Sequence, residues 1–350
     1  MRVAIVNDMP LSVALLRRIV EAIPGYSIAW TAVDGAEAVR KAITDLPNAI
    51  LMDLIMPVMD GATATREIMA RKPCPILIVT ASVKTNHSKV YEALGAGGLD
   101  AIRTPTLQGD TIVGADSLVQ RLAKIAASRT NGLGNRKPTG LSDLGSFPTL
   151  GADRTIRTPP LVVIGASTGG PAALANVLLG LAPCAATVPI VIVQHIGAAF
   201  ADGLVEWLTA QTQLPIFPAV VGEPIQAGRV YVAVSEDHLV LTASRKFQYT
   251  PDPANYPYRP SVDVFFHTAR LNWPARGVAV LLTGMGSDGA QGLSAMRKAG
   301  WHTIAQDQET SIVYGMPKAA MELGAAKEIL PLPLIGAAIA RAIRTMLSAS

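Results

Sequence analysis

Cysteine is nearly missing from this chain: Cys74 and Cys184 are the only two in 350 residues. With no CxxC and no Cys/His cluster, a zinc centre of standard spacing is excluded and a disulfide framework is not supported. Charge is also scarce, at 16% of residues, and the formal net of +4 is modest and spread along the chain. No basic patch follows from it, so no nucleic-acid partner is expected. Aromatics supply 5% of a sequence that is half hydrophobic, which describes an aliphatic-rich α/β protein rather than a disordered chain. Long apolar runs are missing too. The best candidate, "ILPLPLIGAAIARAIRTML", is broken by Pro331 and Pro333 and carries arginines at helical spacing. It cannot supply the ~20 uninterrupted residues of a membrane span, so an amphipathic helix and no membrane insertion are expected. The start, "MRVAIVNDMP", has no small-residue cleavage site and reads as a strand, which predicts a cytoplasmic protein.

What is present divides in two. A chain of 350 residues exceeds one compact core and fits two domains. Over residues 1–127 the apolar runs "VAIVND", "YSIAWTA", "AILMDLIMP", "PILIVTAS" and "LDAIRTP" alternate with amphipathic stretches, which predicts a doubly wound parallel sheet. Residues 128–157 lose that periodicity and fill with Gly, Pro, Ser and Thr, as a flexible linker does. From 158 to 350 the alternation resumes, with strand candidates at "LVVIGAS", "VPIVIVQH", "RVYVAV", "HLVLTA", "GVAVLLTG" and "WHTIAQD". A second α/β domain, Rossmann-like in its winding, is predicted, and ligands of such sheets gather at the carboxyl ends of the strands.

Asp8 follows the first strand and Asp53 the third, which puts two carboxylates at one sheet edge. Crowded carboxylates are best tolerated around a hard cation such as Mg²⁺. With "MDLIMPVMDGATATREIM" after them, residues 1–125 resemble the flavodoxin-like receiver domain of two-component response regulators. That resemblance implies Asp53 as phosphoryl acceptor, Asp8 and Asp53 as Mg²⁺ ligands, and Thr80 as the switch residue. Two departures stand out. Receivers usually carry two acidic residues where this chain has Asn7 and Asp8, and "RTP" puts Thr104 in the lysine position with Arg103 beside it and Ala101 where an aromatic often sits. A degenerate receiver that only docks is the alternative.

"LVVIGASTGGP" raises a different question, because Gly165, Gly169 and Gly170 follow a strand as in a dinucleotide loop. Their spacing does not fit G-x-G-x-x-G, but "GASTG" satisfies G-x-S-x-G, in which a tight strand-to-helix turn exposes a serine. Ser167 is therefore a nucleophile candidate, with a helix cap as the plainer reading. A base and an orienting carboxylate are found at the ends of other apolar strands, at His195 and Asp288. Taken singly, each is more often a core, capping or turn residue; together with an elbow serine they point to a triad. The order Ser, His, Asp differs from that of α/β-hydrolases. His87, His238, His267 and His302 read as surface or core residues.

"GASTGG", "VIVQH", "RPSVDVFF", "LLTGMGSDGAQGL" and "IAQDQETSIVYGMPKAA" resemble the catalytic domain of the chemotaxis protein-glutamate methylesterases, over about residues 158–335. A receiver fused upstream is that family's arrangement. The likeness implies acyl transfer by Ser167, His195 and Asp288 without a cofactor, an oxyanion hole including the Met285 amide, and Thr168 in support. It also implies a methyl-accepting receptor's cytoplasmic helix as substrate, a CheA-type histidine kinase as phosphoryl source, and glutamine deamidation through the same acyl-enzyme. "VND" and "TP" in the receiver are most similar to the branch serving Wsp-type surface-sensing pathways. "IGAAF" after His195 departs from the family's Met-Pro-Pro. A non-catalytic or DNA-binding response regulator is the competing class; no helix-turn-helix pattern stands out in the second half.

Overall fold

The computed structural model describes residues 1–81, 87–109, 111–130, 158–254, 256 and 258–348. Contacts divide the chain into two compact units, Met1–Gly134 and Asn135–Ser350.

In the first unit β1 (Arg2–Val6), α1 (Pro10–Glu21), β2 (Ser27–Ala32), α2 (Gly35–Thr44), β3 (Ala49–Met52), α3 (Gly61–Arg71), β4 (Ile76–Thr80), α4 (His87–Gly95) and β5 (Asp100–Arg103) alternate as the apolar runs predict. The sheet order is β2-β1-β3-β4-β5, all parallel. Strands β3 and β4 are buried along their whole length, as continuous apolar runs between two helix layers require. Local chemistry starts the helices. Asp34 caps α2 through the Glu37 amide while Glu37 returns to the Val33 amide, and Asp60 caps α3 through the Thr63 amide. A short hairpin of β6 (Thr106–Gln108) and β7 (Thr111–Val113) precedes α5 (Ala115–Thr130). Helix α5 runs to Thr130, three residues beyond the boundary expected at 127. The rest of the expected linker, residues 131–157, lies outside the described residues.

The second unit comprises β8 (Val162–Ala166), α6 (Gly170–Ala185), β9 (Ile190–Gln194), α7 (Ala198–Thr212), β10 (Ile216–Pro218), β11 (Val230–Val232), β12 (His238–Leu241), β13 (Phe247–Thr250), α8 (Val262–Asn272), β14 (Val278–Leu281), α9 (Ala290–Lys298), β15 (His302–Gln306), α10 (Met316–Glu322), β16 (Glu328–Leu330) and α11 (Leu332–Ser348). Seven parallel strands run in the order β10-β11-β9-β8-β14-β15-β16, so β8 is central with β9 and β14 as its neighbours. "HLVLTA" departs from the expected alternation: it pairs antiparallel with β13 in a separate hairpin and packs on α8. The three-residue edge strands β10 and β16 carry too short an apolar signal to be read from sequence. The apolar terminal stretch becomes α11, whose buried face, including Ile335, Ile339 and Ile343, lies on α6. Gly180 and Gly336 meet at that crossing, where a Cβ on Gly336 would lie 2.7 Å from the Gly180 Cα.

Candidate active site

Register places the first two candidates side by side. Ala166, the last residue of β8, pairs with Gln194, the last of β9, so Ser167 and His195 leave adjacent strands at the same level. The His195 amide donates to the Ala166 carbonyl (3.0 Å) and the Ser167 amide to the Thr283 carbonyl on the β14 side (3.0 Å). Gly169 then turns the chain into α6 at φ 76°, a left-handed conformation that disfavours any side chain. This is the strand-turn-helix geometry of an elbow, with Pro171 in the first turn of α6.

Gln194 locks the elbow to the histidine. Its Nε2 donates to the Ser167 carbonyl (2.8 Å) and the His195 carbonyl (3.1 Å). Its Oε1 is buried with no hydrogen-bond partner, against Gly170, where any Cβ would collide with it.

Asp288 stands seven residues past the end of β14, further than the sequence reading put it, and still reaches His195: Oδ2 lies 2.7 Å from Nε2. Nδ1 is thus the imidazole nitrogen not engaged by the carboxylate. Asp288 is 1% exposed and sits on the N-terminus of α8, accepting from the Ser261 hydroxyl (2.8 Å) and the amides of Val262 (2.7 Å) and Asp263 (3.0 Å). Burial pulls its pKa up, but His195 and the α8 amides outweigh burial and hold it below the ordinary carboxylate range. Beside it Asp263 goes the other way. Burial first, and the Asp288 charge second, push Asp263 to about 8, although the Gly292 amide (2.6 Å) and the Tyr256 hydroxyl (2.7 Å) donate to it. Within the pair, the α8 amides and His195 favour the ionised form of Asp288, while burial and the Asp288 charge favour the protonated form of Asp263.

His238 supports this platform from below. Completely buried, it accepts the Ser261 amide on Nδ1 (3.1 Å), which requires a neutral ring, and burial lowers its pKa accordingly. His267 and His302 are half-buried away from these contacts, and the His87 side chain lies outside the described residues. Met285 and Thr168 border the serine. A Cβ on Gly284, just before Met285, would lie 2.7 Å from the Ser167 Cβ, and the Thr283 hydroxyl donates to the Thr168 carbonyl (3.0 Å). Gly284 itself is pinned by the 313–316 segment, donating to the Val313 carbonyl and accepting from the Gly315 and Met316 amides. Sequence reasoning missed Gln194, Ser261 and Asp263. The motifs "VIVQH" and "RPSVDVFF" contain all three, but their partners are distant in sequence.

At the receiver edge, Asp53 follows β3 and is held by the Leu54 amide (2.7 Å) and by Asn7 Nδ2 (2.9 Å). Burial, partly offset by the Leu54 and Ile55 amides and reinforced by Asp8, raises its pKa to about 6. Asn7 replaces a repelling charge with a donor to Asp53. Thr80 is buried at the end of β4 and its carbonyl accepts the Thr104 amide (3.0 Å); Thr104 is buried and Arg103 exposed. Among the described residues no group of three His, Cys, Asp or Glu side chains gathers. Two carboxylates are nonetheless the kind of donor set Mg²⁺ takes, since it keeps several waters.

Comparison with known proteins bears on the two domains that carry these sites. Residues 162–339 match the CheB methylesterase family and residues 3–112 the response regulator receiver domain. The chain belongs to the CheB methylesterase family. It is 52% identical, over 96% of each chain, to the protein-glutamate methylesterase/protein-glutamine glutaminase 2 of Cupriavidus metallidurans. A protein-glutamate methylesterase/protein-glutamine glutaminase of Mesorhizobium japonicum is 50% identical over 98% of each chain. The crystal structure of the Thermotoga maritima CheB methylesterase catalytic domain aligns with a TM-score of 0.51 at 35% identity, covering 53% of this chain and all of that one. Like other CheB methylesterases it joins a receiver to a catalytic α/β domain. No described helix is long and apolar enough to cross a membrane.

Proposed function

We propose that this CheB-family chain is a phosphorylation-gated protein-glutamate methylesterase that hydrolyses γ-glutamyl methyl esters on the cytoplasmic helices of a methyl-accepting chemoreceptor. The observation that carries the reading is an elbow serine at the sheet edge, on the strand next to a His195 held at 2.7 Å by the buried Asp288 carboxylate. Ser167 Oγ attacks the ester carbonyl while His195 takes its proton on Nδ1, the nitrogen Asp288 leaves free. His195 returns that proton to the departing methoxide, which leaves as methanol. Water, deprotonated by His195, then hydrolyses the acyl-enzyme, giving the glutamate carboxylate and regenerating the serine. The Met285 amide donates to the oxyanion, a contact worth about 3 kcal/mol, with Thr168 in support. A glutamine amide passes through the same intermediate with ammonia leaving, so deamidation belongs to the same site.

Residues 1–130 act as receiver, with α5 carrying it three residues past 127, then 131–157 as linker and 158–350 as the catalytic domain. Asp53 accepts a phosphoryl group from a CheA-type histidine kinase, and Thr80 responds to it. Asp8 and Asp53 would hold Mg²⁺, which when bound neutralises charge on the phosphoryl oxygens. Asn7, Thr104 and the "VND" and "TP" flanks fit the Wsp-type branch of the family, acting in the cytoplasm and not on nucleic acid. The test is methanol release from a methylated receptor fraction by the full chain, with and without a small phosphoryl donor and Mg²⁺, beside Asp53→Asn. A donor-dependent gain of about tenfold needs only ~1.4 kcal/mol of differential stability between two domain arrangements. Methanol release that the donor raises only in the wild type supports the reading. Equal rates in all conditions contradict the gating, and no methanol contradicts the activity.

A further inference from the structure

Tyr258 lies outside the three residues of the acyl-transfer mechanism, yet it touches two parts of their surroundings. Its ring is stacked on the His195 imidazole, with centroids 5.0 Å apart and planes 6° from parallel. Its hydroxyl reaches the turn that carries Met285 and Asp288: a Cβ on Gly286 would collide with that oxygen, and Gly286 holds a φ of 85°. The two contacts come from one half-buried side chain on the loop leading into α8, the helix whose N-terminus holds Asp288. We propose that Tyr258 is a positioning residue of the esterase, whose ring fixes the plane of the His195 imidazole and shields it, while its hydroxyl abuts the Met285 turn.

The physical case has three parts. Asp288 constrains one imidazole nitrogen but leaves the ring free to rotate about the Nε2···Oδ2 contact, and a stacked ring removes that freedom. Stacking also covers one face of the imidazole, whose side chain is only 12% exposed, so fewer waters compete for its protons. During attack on the ester the imidazole becomes a cation, and the π-face of a neutral phenol favours a cation beside it. Tyr258 stays a neutral phenol because burial, then the Asp288 charge, raise its pKa. The arrangement therefore acts on the transition state more than on substrate binding, which predicts a loss in kcat rather than a rise in KM.

The proposal rests on the esterase reading, so Ser167→Ala in the full chain is the control that tests that reading alone. Tyr258→Leu removes the ring and Tyr258→Phe removes only the hydroxyl; Tyr258 is itself only half-buried, so neither opens the core. Methanol release from a methylated receptor fraction gives kcat and KM for each. Tyr258→Leu should lower kcat roughly tenfold or more with KM within about twofold, and Tyr258→Phe should keep kcat within about threefold of wild type. With the histidines isotopically labelled, the His195 ring protons should sit upfield in wild type and Tyr258→Phe, from the ring current, and move downfield in Tyr258→Leu. Full activity in Tyr258→Leu overturns the proposal. Equal loss in Phe and Leu variants overturns the stacking claim, because the hydroxyl alone would then carry the effect. An active Ser167→Ala defeats the esterase reading instead.

Discussion

Asp263→Asn separates the two buried carboxylates, because Asn imitates the protonated acid in shape and charge. In the folded protein Asp263 titrates at about 8, raised by burial and then by the Asp288 charge. Unfolded, it titrates at about 4. A raised folded pKa means that Asp263 contributes stability fully below pH 4, and that this contribution is lost as pH rises to about 8. Through that window the wild type loses up to about 1.4 kcal/mol per pH unit relative to a variant that cannot ionise there. From pH 6 to pH 8 the stability difference, variant minus wild type, should therefore rise by about 2 to 3 kcal/mol and then level off. The variant keeps an acceptor for the Gly292 amide, whereas the Tyr256 hydroxyl, which donates to the other Asp263 oxygen, must turn to accept from the new amide, a cost that does not vary with pH over this range. Urea unfolding of the full chain at pH 5, 6, 7, 8 and 9 reads this directly. Activity gives a second view: at pH 7 Asp263→Asn should retain most of wild-type turnover, whereas Asp288→Asn should lose several orders of magnitude. A stability difference that does not vary between pH 6 and pH 9 would refute the assignment of the proton to Asp263.

Gln194→Met should lower kcat about tenfold while costing only ~1 kcal/mol in urea unfolding, because the lost donors hold Ser167 and His195 together but the wild-type Oε1 is already unsatisfied. Gly336→Ala should destabilise by about 1–3 kcal/mol in thermal or urea unfolding, although alanine favours helices, because its Cβ would lie 2.6 Å from the Val177 carbonyl oxygen and 2.7 Å from the Gly180 Cα. Asp53→Asn should stabilise the receiver by ~1–2 kcal/mol at pH 8 and hardly at pH 4. The sign follows from its raised pKa of about 6: the wild-type acid contributes stability below pH 4 and loses it as pH rises through 6. Chemical unfolding at the two pH values without Mg²⁺ checks it.

The doubly wound sheets were legible because their strands are continuous apolar runs between amphipathic helices, the pattern that burial on both faces demands. Ser167 and His195 were legible for a related reason: each directly follows a buried strand, and parallel strands bring such positions to one edge. Asp288 was found as a residue but its setting was not. Its carboxylate depends on the N-terminus of α8, over twenty residues earlier in the chain, and no local pattern in "GMGSDG" indicates that helix. Gln194, Asp263 and Tyr258 were missed on the same ground, since each acts through partners brought near only by the fold. His238 read as an ordinary surface or core histidine; the hairpin that carries it under Ser261 was expected as part of the main sheet.

The central claim is that one serine, activated through His195 and Asp288, carries the ester chemistry. Its most direct test is the rate of methanol release from a methylated receptor fraction by the phosphoryl-activated full chain, compared with Ser167→Ala at matched folded concentration. The account predicts a fall of about 10⁴-fold or more in the variant, with unchanged thermal unfolding. A Ser167→Ala protein retaining a tenth of wild-type methanol release would contradict it.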